Sequence, residues 1–222
     1  MTQVKKMWPL LTATHRYDKS ISTLNRGRGQ QIEAPILAYL IETANGRLGL
    51  TAADVDVIFI GHLHFDHAGG LKELRRCGCG AEIHVQSDEV TAARSGVDTS
   101  VFADELLDDA GAPLPFCLQH GEYSVLPGVQ AVLTPGHTLG HMSMLIELPK
   151  GPPVLLAGDA ADLQENLDDE IAPGTLWQGR EAQALASIRK LKALARDTGA
   201  VIWPNHDMAF YRSLPPFPGA CE

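Results

Sequence analysis

Val55-Asp56-Val57-Ile58-Phe59-Ile60, running straight into Gly61-His62-Leu63-His64-Phe65-Asp66-His67-Ala68-Gly69-Gly70, is the stretch from which the rest of the chain can be read. The first six residues are rich in β-branched and apolar side chains and predict a strand, which Gly61 closes. On an extended segment residues two apart face the same way, so His62 and His64 aim two imidazoles at one point. The end of the strand and the Ala68-Gly69-Gly70 segment force a turn, which aims Asp66 and His67 at a neighbouring point. One short loop thus carries donors for two metal ions.

The same event recurs further along. Gln130-Ala131-Val132-Leu133 reads as a strand and delivers Thr134-Pro135-Gly136-His137-Thr138-Leu139-Gly140-His141. Pro153 to Ala157 runs into Gly158-Asp159, and Ala200 to Trp203 runs into Pro204-Asn205-His206-Asp207. One division of these donors places His62, His64 and His137 on one ion and Asp66, His67 and His206 on a second, with Asp159 bridging. That set leaves room for a bridging hydroxide. Imidazole and carboxylate donors suit Zn²⁺ best, and Fe, Mn or Co are admissible by geometry. A lone His at a strand end is usually a hydrogen-bonded residue of no further consequence, and His15, His84 and His120 are read that way. Three His and one Asp within six residues, joined by three more donors at strand ends, is a pattern chance rarely gives. His141, four residues after His137, is expected to hydrogen-bond behind the ligands rather than to ligate.

With 222 residues, 45% of them hydrophobic and 20% charged, the chain is expected to form a single domain over 1–222. Lys and Arg number 18 against 27 Asp and Glu, a net charge of −9 with no basic cluster beyond runs such as Arg75-Arg76, so nucleic acid and membrane surfaces are not expected partners. No apolar run approaches the ~20 residues of a bilayer span, and the four cysteines are too few and too unevenly placed for a disulfide framework; a cytoplasmic location follows as the expectation. Cys77-Gly78-Cys79 reads as two reduced thiols in a turn, with no part in the metal assignment. Glu181 to Arg196 reads as an amphipathic helix with Leu185, Ile188, Leu191 and Ala195 on its buried stripe and Gly199 as its stop. Ala81 to Gln86 reads as a strand, with Ser87 capping a short helix through Arg94. Ser95 to Cys117 is the least legible stretch.

His62-Leu63-His64-Phe65-Asp66-His67 resembles the HxHxDH signature of the metallo-β-lactamase superfamily, and the segments around His137, Asp159 and His206 resemble its later motifs in the right order. The resemblance covers about Asp54 to Met208. It implies an α/β fold, an αββα sandwich of two mixed sheets flanked by helices with a dinuclear site at one edge. Within the superfamily, His64 to Gly70, the Asp159-Ala160-Ala161 turn with Glu165-Asn166-Leu167, the Ser187 to Lys192 helix and His206-Asp207 look like the N-acyl homoserine lactone lactonases, as does Ala34 to Glu42. The activity implied is quorum quenching: a hydroxide bridging two divalent ions opens the lactone ring, Asp66 ligates or shuttles the proton, and Phe65 packs an acyl chain. Family members often dimerise, and Trp8 to Leu11 offer apolar surface; a monomer or a homodimer fits the sequence equally.

Two departures from the family stand out. Where lactonases usually carry a Tyr whose hydroxyl donates to the bound lactone, this chain has Asp162, expected to be ionised and able only to accept. Either another group, Asp66 being the nearest, protonates the leaving group, or the substrate differs. Secondly, Asn45-Gly46-Arg47 passes directly to Leu48-Gly49-Leu50, where the family continues through another strand and a long loop. The chain is then either a shortened variant with a more open cleft or lacks a segment between Arg47 and Leu48; the second is favoured, since losing a core strand leaves a sheet edge unpaired. Rival readings are a hydrolase of another lactone, ester or glutathione thioester, the last needing a basic patch such as Arg26, Arg28, Arg180 and Arg212, and a metal-binding module without turnover. A nuclease is disfavoured by the acidic charge.

Overall fold

The computed structural model describes residues 3–43, 50–98, 100–101 and 103–222. The junction of Arg47 and Leu48, where a segment is expected to be missing, lies among residues 44–49, outside the described residues. The chain opens with a long antiparallel hairpin of β1 (Lys6–Asp18) and β2 (Gln31–Glu42), in register from Lys6 opposite Glu42 to Asp18 opposite Gln31 with one shift near Leu11. Trp8 to Leu11 are therefore strand residues of this hairpin.

A parallel three-stranded sheet follows, built from β3 (Val57–Phe59), β4 (Glu82–Gln86) and β5 (Phe116–Gln119) in that order. Parallel neighbours need crossovers. Helices α1 (Phe65–Ala68) and α2 (Leu71–Arg76) supply the first, and α3 (Ser87–Arg94) the second. The remaining strands β6 (Tyr123–Leu126), β7 (Val129–Leu133), β8 (Met142–Ile146), β9 (Val154–Leu156) and β10 (Val201–Trp203) form a mixed sheet in the order β10-β9-β8-β7-β6. Only β9 and β10 run parallel in it, and the crossover between them carries α4 (Gln164–Asp168) and α5 (Glu181–Thr198). A last short helix, α6 (Met208–Tyr211), follows β10.

Side-chain alternation turns these elements into layers. On one face of β9, Val154 and Leu156 join Met7, Val129, Ile146 and Trp203 in a core that also takes Tyr39 of β2 and Phe59 of β3. On its other face Leu155 packs with Ile188 and Leu191 of α5. A third core lies under α2 and α3, with Ile60, Leu63, Leu71, Ile83, Val85 and Val90. Helix, sheet, sheet and helix therefore stack in that order, the αββα arrangement. Ile188 and Leu191 are fully buried as their spacing predicts, Leu185 and Ala195 flank them, and α5 ends at Gly199 in the left-handed conformation (φ 71°). Among the described residues no helix is long and apolar enough to cross a membrane.

Candidate metal centre

The loop after β3, the β7–β8 loop, the turn after β9 and the turn after β10 converge at one end of the sandwich. They bring His62, His64, His137 and Asp159 together, and Asp66, His67, Asp159 and His206, with the donor atoms of each group within 4.8 Å of one another. Asp159 belongs to both. Its Oδ2 lies 3.3 Å from His137 Nε2 and 3.6 Å from His62 Nε2, while its Oδ1 lies 3.2 Å from His67 Nε2 and 3.3 Å from His206 Nε2. Asp66 Oδ2 stands 3.6 Å from His206 Nε2 and 3.7 Å from His67 Nε2.

Three of the imidazoles are oriented by a partner on the ring nitrogen that faces away. His137 Nδ1–H donates to the Thr175 carbonyl (3.0 Å), and His206 Nδ1–H donates to the Pro35 carbonyl of β2 (2.9 Å). His64 turns Nε2 to the Asp98 carboxylate (2.9 Å), leaving Nδ1 inside the site, 3.0 Å from His137 Nε2. Such outer partners fix tautomer and ring direction in metal sites. His62 differs: both ring nitrogens are buried and neither has a hydrogen-bond partner among the described residues. A buried polar atom without a partner costs on the order of 1–3 kcal/mol, and lone pairs given to a cation remove that cost.

The electrostatics divide the imidazoles into two kinds. Burial pushes His62 and His137 well below the usual imidazole range, keeping them neutral as ligation requires. Burial opposes the charged form of Asp159 too, but His67, His206, His62 and His137 outweigh it and hold the carboxylate well below its usual range. Burial would likewise depress His206, yet Asp159, Asp162 and Asp66 raise it to about 10. The carboxylates that hold a proton on His206 are the groups a bound cation would face instead.

His141 stands behind the cluster with both nitrogens engaged. Nδ1 meets Thr134 Oγ1 (2.9 Å), Nε2 accepts the Asp159 N–H (2.9 Å), and burial lowers it to about 4. Gly158 makes that approach feasible, since its φ is +56° and a Cβ there would come within 2.8 Å of His141 Nε2. Asn205 Nδ2 donates to Asp159 Oδ1 at 2.8 Å.

Phe65 opens α1, is partly exposed and meets His15 edge-on at 6.1 Å, and His15 in turn meets Tyr17. Asp162 is buried, and burial together with Asp159 drives its carboxyl well above the usual range. The expectation of an ionised Asp162 rests on cations nearby, whereas burial, which a sequence does not show, works in the opposite direction. Beside it lies buried Ser22, whose hydroxyl pairs with Tyr17 Oη at 2.9 Å. Of the arginines weighed for a basic patch, Arg26 is tied to Glu165 and Asp169 and Arg212 faces Glu33.

Several residues escape the sequence reading. Glu89 of α3, almost fully buried, accepts from Leu63 N (3.0 Å) through one oxygen and from Gly140 N (2.9 Å) through the other, joining the His62–His64 loop to the β7–β8 loop. A Cβ on Gly140 would strike Glu89 N at 2.5 Å. An acidic residue on the inner face of a short helix is the one signal that could have pointed to it. Asp98 lies in the stretch that is least legible, and Tyr17 lies outside every motif.

The family model of the metallo-beta-lactamase superfamily matches residues 28–206, a span that contains every donor of the cluster. The chain belongs to the metallo-β-lactamase superfamily. Among its members, an N-acyl homoserine lactonase of Bacillus cereus is 32% identical over 217 residues, covering 95% of this chain and 81% of the relative. The superfamily fold is matched by the crystal structure of a quorum-quenching N-acyl homoserine lactone lactonase, at a TM-score of 0.86 and 28% identity over 100% of this chain and 99% of that one. A structure of an N-acyl homoserine lactone hydrolase with N-hexanoyl-L-homoserine bound at its catalytic metal centre matches at a TM-score of 0.86 and 27% identity, with each chain covered completely. The chain is thus similar to N-acyl homoserine lactonases along nearly its whole length.

Proposed function

We propose that the protein is a metal-dependent hydrolase that opens the ring of N-acyl homoserine lactones. The observation that carries this reading is the pair of four-donor groups sharing Asp159, with His62 unpartnered at their heart, in a chain related to lactonases along 95% of its length. His62, His64, His137 and Asp159 would hold one divalent ion and Asp66, His67, His206 and Asp159 the other, Zn²⁺ being the ion this donor set suits best. Bound divalent ions supply Lewis acidity and bring the pKa of water towards ~7.

The protein's own groups do the rest. Asp159 fixes the spacing of the two donor groups. Asp66, beside His67 and His206, takes the proton of the attacking water and delivers it to the ring oxygen as the acyl C–O bond breaks, leaving a free alcohol and a carboxylic acid that then releases its proton to solvent. The Tyr17 phenol, close to Asp162 and kept protonated by burial, donates a hydrogen bond to the substrate where the lactonases carry their own tyrosine. Phe65 and His15 form the wall against which an acyl chain packs. A thioesterase for glutathione conjugates is less well supported, because Arg26 is already paired to two carboxylates.

The test is acid release from a medium-chain N-acyl homoserine lactone by protein reconstituted with Zn²⁺ or Co²⁺, beside His137→Ala. Turnover that disappears in the variant is expected. No turnover by protein shown to hold two ions per chain would overturn the lactone assignment in favour of another ester or of a module without turnover.

A further inference from the structure

Away from that centre, a second set of donors lies across β4 and β5. Glu82 and His84 are two apart on β4 and share a face, and the parallel register sets Cys117 of β5 directly opposite His84. The Glu82 carboxylate, the His84 imidazole and the Cys117 thiol have donor atoms within 4.8 Å of one another. None of the three belongs to the seven-residue cluster.

The imidazole is aimed rather than loose. His84 Nδ1 meets the Tyr123 hydroxyl at 3.2 Å, across the gap between the two sheets, while Nε2 faces Glu82 Oε2 at 3.4 Å. With Nδ1–H given to the Tyr123 oxygen, the Nε2 lone pair points to where Glu82 and Cys117 converge, the outer-partner arrangement that tunes histidine ligands. Burial, and then Cys117, raise the Tyr123 phenol, which stays neutral and able to hold that bond. On the far side the Gln119 side-chain N–H donates to Cys117 Sγ at 3.2 Å. The His84 side chain is largely enclosed whereas Glu82 and Cys117 reach solvent, so an ion has an open path to the site.

We propose that Glu82, His84 and Cys117 form a separate binding site for a thiophilic divalent ion of the Zn²⁺ or Co²⁺ class, with a solvent-facing coordination position left over. One sulfur, one nitrogen and one oxygen donor select against Mg²⁺ and Ca²⁺, which take oxygen sets, and three protein donors are the usual complement of an exchangeable zinc site rather than of a closed structural one. An ion here would tie the parallel sheet to β6 through His84 and Tyr123.

The test starts from the full chain loaded with two equivalents of Zn²⁺ and adds Co²⁺. One further equivalent is expected to bind with a thiolate-to-cobalt absorption in the near ultraviolet, which the seven-residue cluster, having no sulfur, does not produce. Cys117→Ser should abolish the band, and Cys77→Ser with Cys79→Ser should leave it intact. Tyr123→Phe, which keeps all three donors, should weaken this ion about 10-fold, the lower end of the range for lost outer partners. No band, or a band that survives Cys117→Ser, overturns the proposal. If Cys117→Ser does not fold, His84→Gln gives the same reading, since a band unchanged in that variant excludes the site. Lactone turnover does not enter these readouts, so the two assignments stand or fall separately.

Discussion

Asp159 is the single side chain shared by the two donor groups, and its substitution separates charge from shape. Asp159→Asn keeps the volume, loses the negative charge and offers one oxygen where two are used. Bound metal should fall from two ions per chain to about one, measured by elemental analysis after dialysis, with turnover falling in step. A count that stays at two removes Asp159 from the bridging role. Tyr17→Phe deletes one hydroxyl in the hairpin and no donor of the cluster; lactone kcat/KM should drop about tenfold, equivalent to ~1.4 kcal/mol of transition-state stabilisation, while metal content stays constant. Unchanged kinetics would return the hydrogen-bonding role to Asp162 or Asp66. At this scale the donors themselves were readable, because their chemistry needs rare residue types at fixed spacing. The groups that orient them were not: the Thr175 and Pro35 carbonyls are backbone atoms that any residue supplies, and Asp98 carries no signature until its contact with His64 is seen.

The short helix α3 matters more than its eight residues suggest, since Glu89 holds two loops by their amides. Glu89→Gln leaves one acceptor for two donors and turns an N–H towards an N–H, which should cost about 1–3 kcal/mol in chemical denaturation. The dependence on pH has a definite sign. Burial is the largest influence on Glu89 and raises it above the ordinary 4.5, so its contribution is fully present below about that pH and declines as the pH rises through the native value. The gap between wild type and Glu89→Gln, both measured with chelator present, should therefore narrow from pH 4.5 towards neutrality; a gap that widens contradicts the burial argument. Among the elements, α5 was legible from its stripe and its glycine stop, and five short strands were found to within two residues, while β5, β6 and β8 were not marked. The hairpin was not. Half of β1 is exposed on both faces, so Lys6–Asp18 lacks the alternation by which a strand is recognised, and only Ala34 to Glu42 of its partner was marked.

Across the whole molecule, the seven donors run from His62 to His206 and tie four separate loops into one knot. Ions bound to the folded chain alone stabilise it by ~4 kcal/mol at a thousandfold excess over Kd, and ~2–4 °C per kcal/mol is usual at this size. Chelation should accordingly lower the Tm by roughly 8–16 °C, seen in a thermal melt with and without EDTA. An unchanged melt would mean that the cluster holds no tightly bound ion. The layered architecture reached the sequence reading through the family resemblance, since nothing local shows that Val154 and Leu155 face different cores. The hairpin has one more consequence, for how such a protein changes over generations. Its backbone steers His206 through Pro35, and its side chains His15 and Tyr17 meet Phe65 and Ser22. Exchange of the hairpin to suit a different guest therefore also retunes the grip on the ions, so that selectivity and metal retention are inherited together and selection on one drags the other.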